Sequence, residues 1–155
     1  MTNHVIHYKE KTISIRGKKC KVQSTILIAS RNIKSLIPYR QAFYPKEKKI
    51  IPVDFIKDKF TTESLAYWLM DDGSHDKNSN SFIFNTQCFE YANLWDFIEF
   101  LYNKFNLEFT IKKDKTLYLR HKCNNLFVNL IHDYITEDMK YKIVSSLNSV
   151  KQRNS

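Results

Sequence analysis

The run Leu65-Ala66-Tyr67-Trp68-Leu69-Met70-Asp71-Asp72-Gly73-Ser74 constrains this chain more than any other stretch. Thr61 or Thr62 offers an N-cap, and Glu63 falls in the first turn, where the helix dipole favours negative charge. Leu65, Ala66, Leu69 and Met70 or Asp72 recur at helical spacing. The run predicts a helix over 62–72 with one small apolar face, stopped at Gly73. Two carboxylates then hang from the buried end of an apolar helix, a costly place for charge unless a cation or a hydrogen-bond donor compensates it.

The distribution of charge around this run narrows the partners. Residues 1–60 hold 14 Lys/Arg against 4 Asp/Glu, residues 61–110 hold 2 against 8, and residues 111–155 hold 9 against 4, for a net charge of +9. Basic blocks suit a phosphate backbone, and an acidic centre between them suits a metal-dependent nuclease. A hydrophobic fraction of 43% is enough for a packed core, so disorder is not expected. No membrane span and no signal peptide are expected. Cys20, Cys88 and Cys123 are odd in number and lack metal-ligand spacing, so they are expected to be buried free thiols in a reducing compartment. The five His residues form no cluster, so a structural zinc site is not expected. Lys, Asn, Ile, Tyr and Phe, all abundant here, have A/T-rich codons, which fits an organellar gene.

Taken in order, residues 12–16 and 20–28 alternate at period two and predict a strand pair around Gly17-Lys18-Lys19. A helix is expected from Ile33 to Tyr44, restarted at Pro38, with Leu36, Ile37, Tyr39, Ala42 and Phe43 turned to a core. A basic turn over 45–52 and a short amphipathic helix over 53–59 lead to the motif. Ser74–Asn80 should be the tip of a hairpin whose second strand is Ser81–Phe89, with Phe82, Phe84, Thr86 and Cys88 on one face and Ile83, Asn85 and Gln87 on the other. The helix Tyr91–Phe105 carries an apolar stripe of Leu94, Trp95, Ile98, Leu101, Tyr102 and Phe105, capped by Asn106. That stripe is read as core and not as a base-stacking platform. Strands Leu107–Lys112 and Thr116–His121 flank a Lys113-Asp114-Lys115 turn, and helices Asn124–Tyr134 and Glu137–Leu147 close the chain before a polar tail.

The motif run closely resembles the nonapeptide of the LAGLIDADG homing endonucleases in the form L-A-x-W-x-M-D-D-G. The resemblance extends over roughly residues 12–145 and is closest to the second half of a two-motif, omega-type mitochondrial intron endonuclease. It rests on Leu-Ala-Tyr-Trp, on the Asn85-Thr86-Gln87 strand and on Tyr141-Lys142. It implies an α+β fold, an antiparallel sheet saddle with helices on one face. Residues 1–60 would be a partial first repeat, 61–148 a complete repeat and 149–155 a tail. It also implies a site-specific, metal-dependent double-stranded DNA endonuclease of the homing type, encoded in a mitochondrial intron.

By the same resemblance Asp72, with Gly73, holds the catalytic divalent metal, Mg²⁺. Asp71 points about 100° away on a helix and is the weaker candidate. Gln87 orders water near the scissile phosphate. Lys142 lies near the reaction centre, and Lys49 serves a second centre. DNA contacts are expected from the polar strand faces, at Lys19, Lys21, Gln23, Asn85, Gln87, Lys112, Lys113, Arg120 and Lys122, since a two-stranded ribbon fits the major groove. In the family each active site draws acidic residues from two motif helices, and no such motif lies upstream of Thr61. Either a homodimer or a second chain is therefore expected to complete the sites, with the small face of helix 62–72 as the interface. An RNA-binding intron maturase and a non-catalytic partner subunit are the alternatives.

Overall fold

The computed structural model describes residues 5–15, 18–29 and 33–143. The chain divides into two compact units, one ending at Tyr39 and one beginning at Arg40. In the first, β1 (Val5–Ile15) and β2 (Lys18–Ala29) form an antiparallel pair. Lys21 lies opposite Thr12 and Lys19 opposite Ser14, and the register shifts between Lys9 and Lys11. Gln23 and Ser24 share that irregularity opposite Glu10, which is the pattern of a β-bulge. Arg16 and Gly17 of the expected turn lie outside the described residues.

A 3₁₀ turn at Lys34–Leu36 leads into α1 (Ile37–Phe43), so the helix restarts one residue before Pro38. Leu36, Ile37 and Tyr39 are exposed, not turned into a core, while Ala42 and Phe43 are half-buried. The basic turn is held by its backbone: the Asn93 side chain accepts from Ile51 N–H (2.7 Å) and donates to Ile51 C=O (2.8 Å). Ile51 is thereby seated in the core of the larger unit. One turn of helix, α2 (Val53–Ile56), follows.

The motif helix α3 spans Thr62–Asp72 and starts from Thr61 in a reciprocal capping box with Ser64. Its Leu65, Ala66 and Leu69 are buried, and half-buried Trp68 stacks on Phe84 at 3.9 Å. The expected polar hairpin tip is itself partly strand. β3 (Gly73–Asp76) pairs with β4 (Ser81–Phe84), and the sheet continues through β6 (Leu117–Leu119) to β5 (Phe109–Ile111) in the antiparallel order β3-β4-β6-β5. Helices α4 (Tyr91–Phe105) and α5 (Asn124–Ile131) complete the unit. One sheet face, with Phe82, Phe84, Phe109, Leu117 and Leu119, packs into a core with Leu65, Leu69, Leu94, Phe97, Leu101, Phe127 and Ile131. The other face presents one row in register: Ser74, Ile83, Tyr118 and Thr110. The architecture is α+β, as expected.

Five expectations are corrected. Strand β4 stops at Phe84, because Thr86 turns its hydroxyl to the Lys115 carbonyl (2.5 Å) and a turn begins at Gln87. Cys88 is consequently exposed, while Cys123 is buried. The buried stripe of α4 is Leu94, Phe97, Ile98 and Leu101, and Trp95 and Tyr102, taken as core, are 59% and 50% exposed. The strands expected over 107–112 and 116–121 are three residues each, and the C-terminal helices shrink to α5 with 3₁₀ segments His132–Tyr134 and Glu137–Lys142. The helix expected to run on to Leu147, and the tail beyond it, leave the described residues after Ile143.

Candidate active site

The C-terminal end of α3 is the chemical centre of the larger unit. Gly73 stops the helix with an extended backbone (φ −94°, ψ 155°), so a left-handed cap is not what requires glycine here. Clearance is: a Cβ at residue 73 would stand 2.6 Å from Leu69 Cδ1 and 2.8 Å from the Leu69 Cα and carbonyl oxygen. The bare glycine lets β3 leave directly under the last helical turn. Asn85 N–H donates to the Asp72 carbonyl (3.2 Å), adding a rung between helix end and sheet.

Lys142 reaches this end from the 3₁₀ segment Glu137–Lys142. Its ammonium donates to three carbonyls, those of Leu69 (3.1 Å), Met70 (2.8 Å) and Gly73 (2.7 Å). An ammonium has three protons and all three are used, at the negative end of a helix dipole. Burial pushes Lys142 below the usual lysine range, and the Asp71 and Asp72 carboxylates nearby draw it back up. The cation thus compensates the carbonyl end of the helix, and the expectation of carboxylates hung from a buried end is corrected. Asp71 and Asp72 themselves are exposed.

Among the described residues no three His, Cys, Asp or Glu side chains converge. What the chain offers a divalent cation at the end of α3 is the exposed Asp72 carboxylate and, once shared with or released by Lys142, the Gly73 carbonyl. Both are hard oxygen donors, which fit a cation that prefers oxygen and keeps several waters. One chain fills only part of such a coordination shell.

The remaining site residues fall into two groups. Asn85 and Gln87 are exposed just beyond β4, two and four residues past the Ile83 position on the outward sheet face. Lys49 lies over the Phe89 ring (5.2 Å), beside the same loop and not at the carboxylates. Glu90 there pairs with Lys48 (3.3 Å) and Lys115 (3.4 Å), which hold its carboxyl below the usual range.

On the sheet, Lys112 lies over the Tyr118 ring (4.8 Å) and Lys113 is exposed in the turn. Arg120 (2.9 Å) and Lys122 (2.5 Å) both bind Glu108, and those bonds, Lys122 first, hold the Glu108 carboxyl low. Their charge is therefore partly neutralised before any phosphate arrives. The backbones of Lys19, Lys21 and Gln23 lie in β2, and their side chains are outside the described part of the structure.

Reading only basic and amide side chains missed Tyr118 and Thr110, which share the outward row. The alternation in Leu117-Tyr118-Leu119 carries that signal. The interface expectation for α3 is also corrected. Its small face, Leu65, Ala66 and Leu69, is fully buried in the unit's own core. The open stripe is Glu63, Tyr67 and Asp71, with Tyr67 60% exposed. A cavity of about 510 Å³ lies along it, lined by Tyr67, Trp68, Met70, Asp71 and Met139. No helix among the described residues is long and apolar enough to cross a membrane.

A family model described as the LAGLIDADG DNA endonuclease family matches residues 2–127. Probable intron-encoded endonuclease 1 of Wickerhamomyces canadensis is 39% identical over 110 residues, which are 66% of this chain and 48% of that protein. Intron-encoded endonuclease ai4 of Dictyostelium discoideum is 30% identical over 66% of this chain and 67% of its own length. Cytochrome b mRNA maturase bI2 of Saccharomyces cerevisiae is 31% identical over 61% of this chain and 23% of its own length. Among solved structures, the homing endonuclease I-WcaI bound to its DNA recognition sequence superposes with a TM-score of 0.74 at 30% identity, covering 90% of this chain and 64% of that one. The chain thus spans about half the length of the Wickerhamomyces relative.

Proposed function

The chain belongs to the LAGLIDADG DNA endonuclease family, and from that premise we propose that it acts as a site-specific, metal-dependent double-stranded DNA endonuclease of the homing type. The observation that supports the reading is the Lys142 ammonium bound to the Gly73 carbonyl at the end of α3, the helix end that carries Asp71 and Asp72. Asp72 and Gly73 would hold Mg²⁺. When bound, that ion supplies an activated water and stabilises charge on the phosphate. Lys142 places a fixed positive charge beside the carboxylates, where it offsets phosphate charge. Gln87, an exposed amide able both to donate and to accept, orders water from the sheet side. Lys49 serves a second centre.

Asn85, Lys112 and Lys113 present exposed donors to DNA on or beside the outward sheet face, with Arg120 and Lys122 contributing through phosphate contacts. Lys19, Lys21 and Gln23 of β2 are proposed as further DNA contacts of the first unit. A second motif helix, from another copy or another chain, completes each active site. An organellar intron is the proposed home of the gene, and mitochondria the proposed compartment. The test is Mg²⁺-dependent cleavage of a target duplex by the assembled protein. Asp72→Asn should abolish cutting while circular dichroism stays unchanged, and surviving cleavage would remove Asp72 from the mechanism.

The likeness to a cytochrome b mRNA maturase favours a second reading, in which the same basic surface holds intron RNA by shape and backbone contacts. Under it, Asp72→Asn leaves splicing assistance intact.

A further inference from the structure

The outer edge of the sheet carries a feature that the nuclease reading does not use. β5 is an edge strand, and its three residues contain neither proline nor a charge. The ladder to β6 takes Glu108 C=O (from Arg120 N–H, 2.8 Å) and Lys112 N–H (to Thr116 C=O, 2.9 Å). In an antiparallel pair this alternation directs the N–H and C=O of Phe109 and Ile111 away from β6, to the open edge. Alongside that edge runs the flank of α4 formed by Trp95, Glu99 and Tyr102, at i, i+4 and i+7. Between strand edge and helix flank lies a cavity of about 520 Å³, floored by Ile98, Leu107 and Phe109.

Edge strands are normally blunted by charge, proline, a bulge or a covering element, and this one has an apolar trough beside it instead. The charge of the trough selects among occupants. Glu99 lines it and Asp96 adjoins Trp95, and neither carboxylate has a cation partner among the described residues of a chain whose net charge is +9. The only cation in the lining, Arg120, is bonded to Glu108. Exposed aromatics suit single-stranded nucleic acid in general, but uncompensated carboxylates repel phosphate.

We propose that the trough between α4 and the free edge of β5 docks an extended, basic segment of another protein, which adds a strand to the sheet at Phe109 and Ile111, sets an apolar side chain between Trp95 and Tyr102, and pairs a Lys or Arg with Glu99. Main-chain bonds to the edge supply affinity, and the alternate side chains supply selectivity. The inference is independent of the cleavage chemistry.

The probe is a capped eight-residue peptide pool alternating Val, Ile, Leu or Phe with Lys, titrated into the whole chain while amide hydrogen exchange is followed. At saturation the Phe109 and Ile111 amides should slow, and Glu99→Lys should weaken binding about tenfold, an exposed charge partner having become a repulsive one. Ile111→Pro should abolish binding with circular dichroism unchanged, since that N–H makes no bond within the sheet. Trp95→Ala, a change at an exposed position, should also weaken binding about tenfold.

Failure of the pool to slow the two amides, or equal binding to the Glu99→Lys variant, overturns the proposal. Protection of both amides by self-association without peptide would assign the edge to a second copy and overturn it. So would protection by an RNA or DNA oligonucleotide that Trp95→Ala removes. Cleavage activity enters none of these outcomes, so the nuclease reading can fail without this one.

Discussion

At Gly73 and Lys142 single atoms decide the outcome. Adding one methyl at residue 73 drives it into the Leu69 backbone, which cannot rotate away as a side-chain end can. Gly73→Ala should therefore lower stability by about 1–3 kcal/mol, the usual range for overpacking, read as a shift in the urea midpoint at constant slope. Lys142→Met keeps much of the side chain's bulk but takes the ammonium from three carbonyls, of which Leu69 alone keeps a helical N–H donor from Gly73. The cost should be about 1–3 kcal/mol, seen as a lower melting temperature, and DNA cutting should disappear even well below that temperature. The sequence shows Lys142 only as a basic residue in a family-like Tyr-Lys pair. That its ammonium closes the end of a helix seventy residues upstream is information about tertiary contact, which no local pattern contains.

Elements with strong local signals came out as their residues demand. The Thr61 cap, the bounds of α4 and the left-handed Asn106 (φ 57°) at its end each rest on chemistry within one turn of chain. Which flank of α4 is covered does not. Its apolar and aromatic residues span an arc wider than one contact, and only the neighbouring sheet decides that Phe97 goes in while Trp95 and Tyr102 stay out. Strand ends were equally hidden, because β4 is cut short by a hydroxyl bond to the distant Lys115 carbonyl. At this scale Glu108 ties the start of β5 to Arg120 and Lys122 beyond the end of β6. Its carboxyl is held below the ordinary 4.5, so its contribution is present above that value and lost as pH falls through the depressed one. Glu108→Gln should flatten this part of the acid limb in denaturant titrations, a small effect because the ion pairs lie at the surface.

For the whole molecule the open question is what covers the free stripe of α3. Two Asp72 carboxylates can converge only if two such helices run side by side in the same direction. About a two-fold axis along them, each residue of the stripe then meets its own copy. Tyr67 would face Tyr67, and Asp71 would face Asp71 at the negative ends of both helices. The purified chain should accordingly sediment near its monomer mass of 18.6 kDa. Asp71→Asn should raise the dimer fraction, and a chain offering small and basic residues opposite Tyr67 and Asp71 should pair with it more strongly than a second copy does. A stable dimer of the unaltered chain at micromolar concentration would show that the carboxylates are tolerated across the axis, and would predict a near-palindromic target.

The bond from Lys142 to the Gly73 carbonyl spans 69 residues of sequence. A ribosome makes the chain from its amino end, so α3 and its carboxylates emerge long before the ammonium that closes them. Until then the Met70 and Gly73 carbonyls lack the ammonium, and the end of the helix has only its backbone bonds. The end of α3 is thus closed only once residue 142 has been made. A product ending just short of Lys142 would keep the sheet and α5 but leave the end of α3 unclosed, so under the proposed nuclease reading it is expected to hold DNA without cutting it.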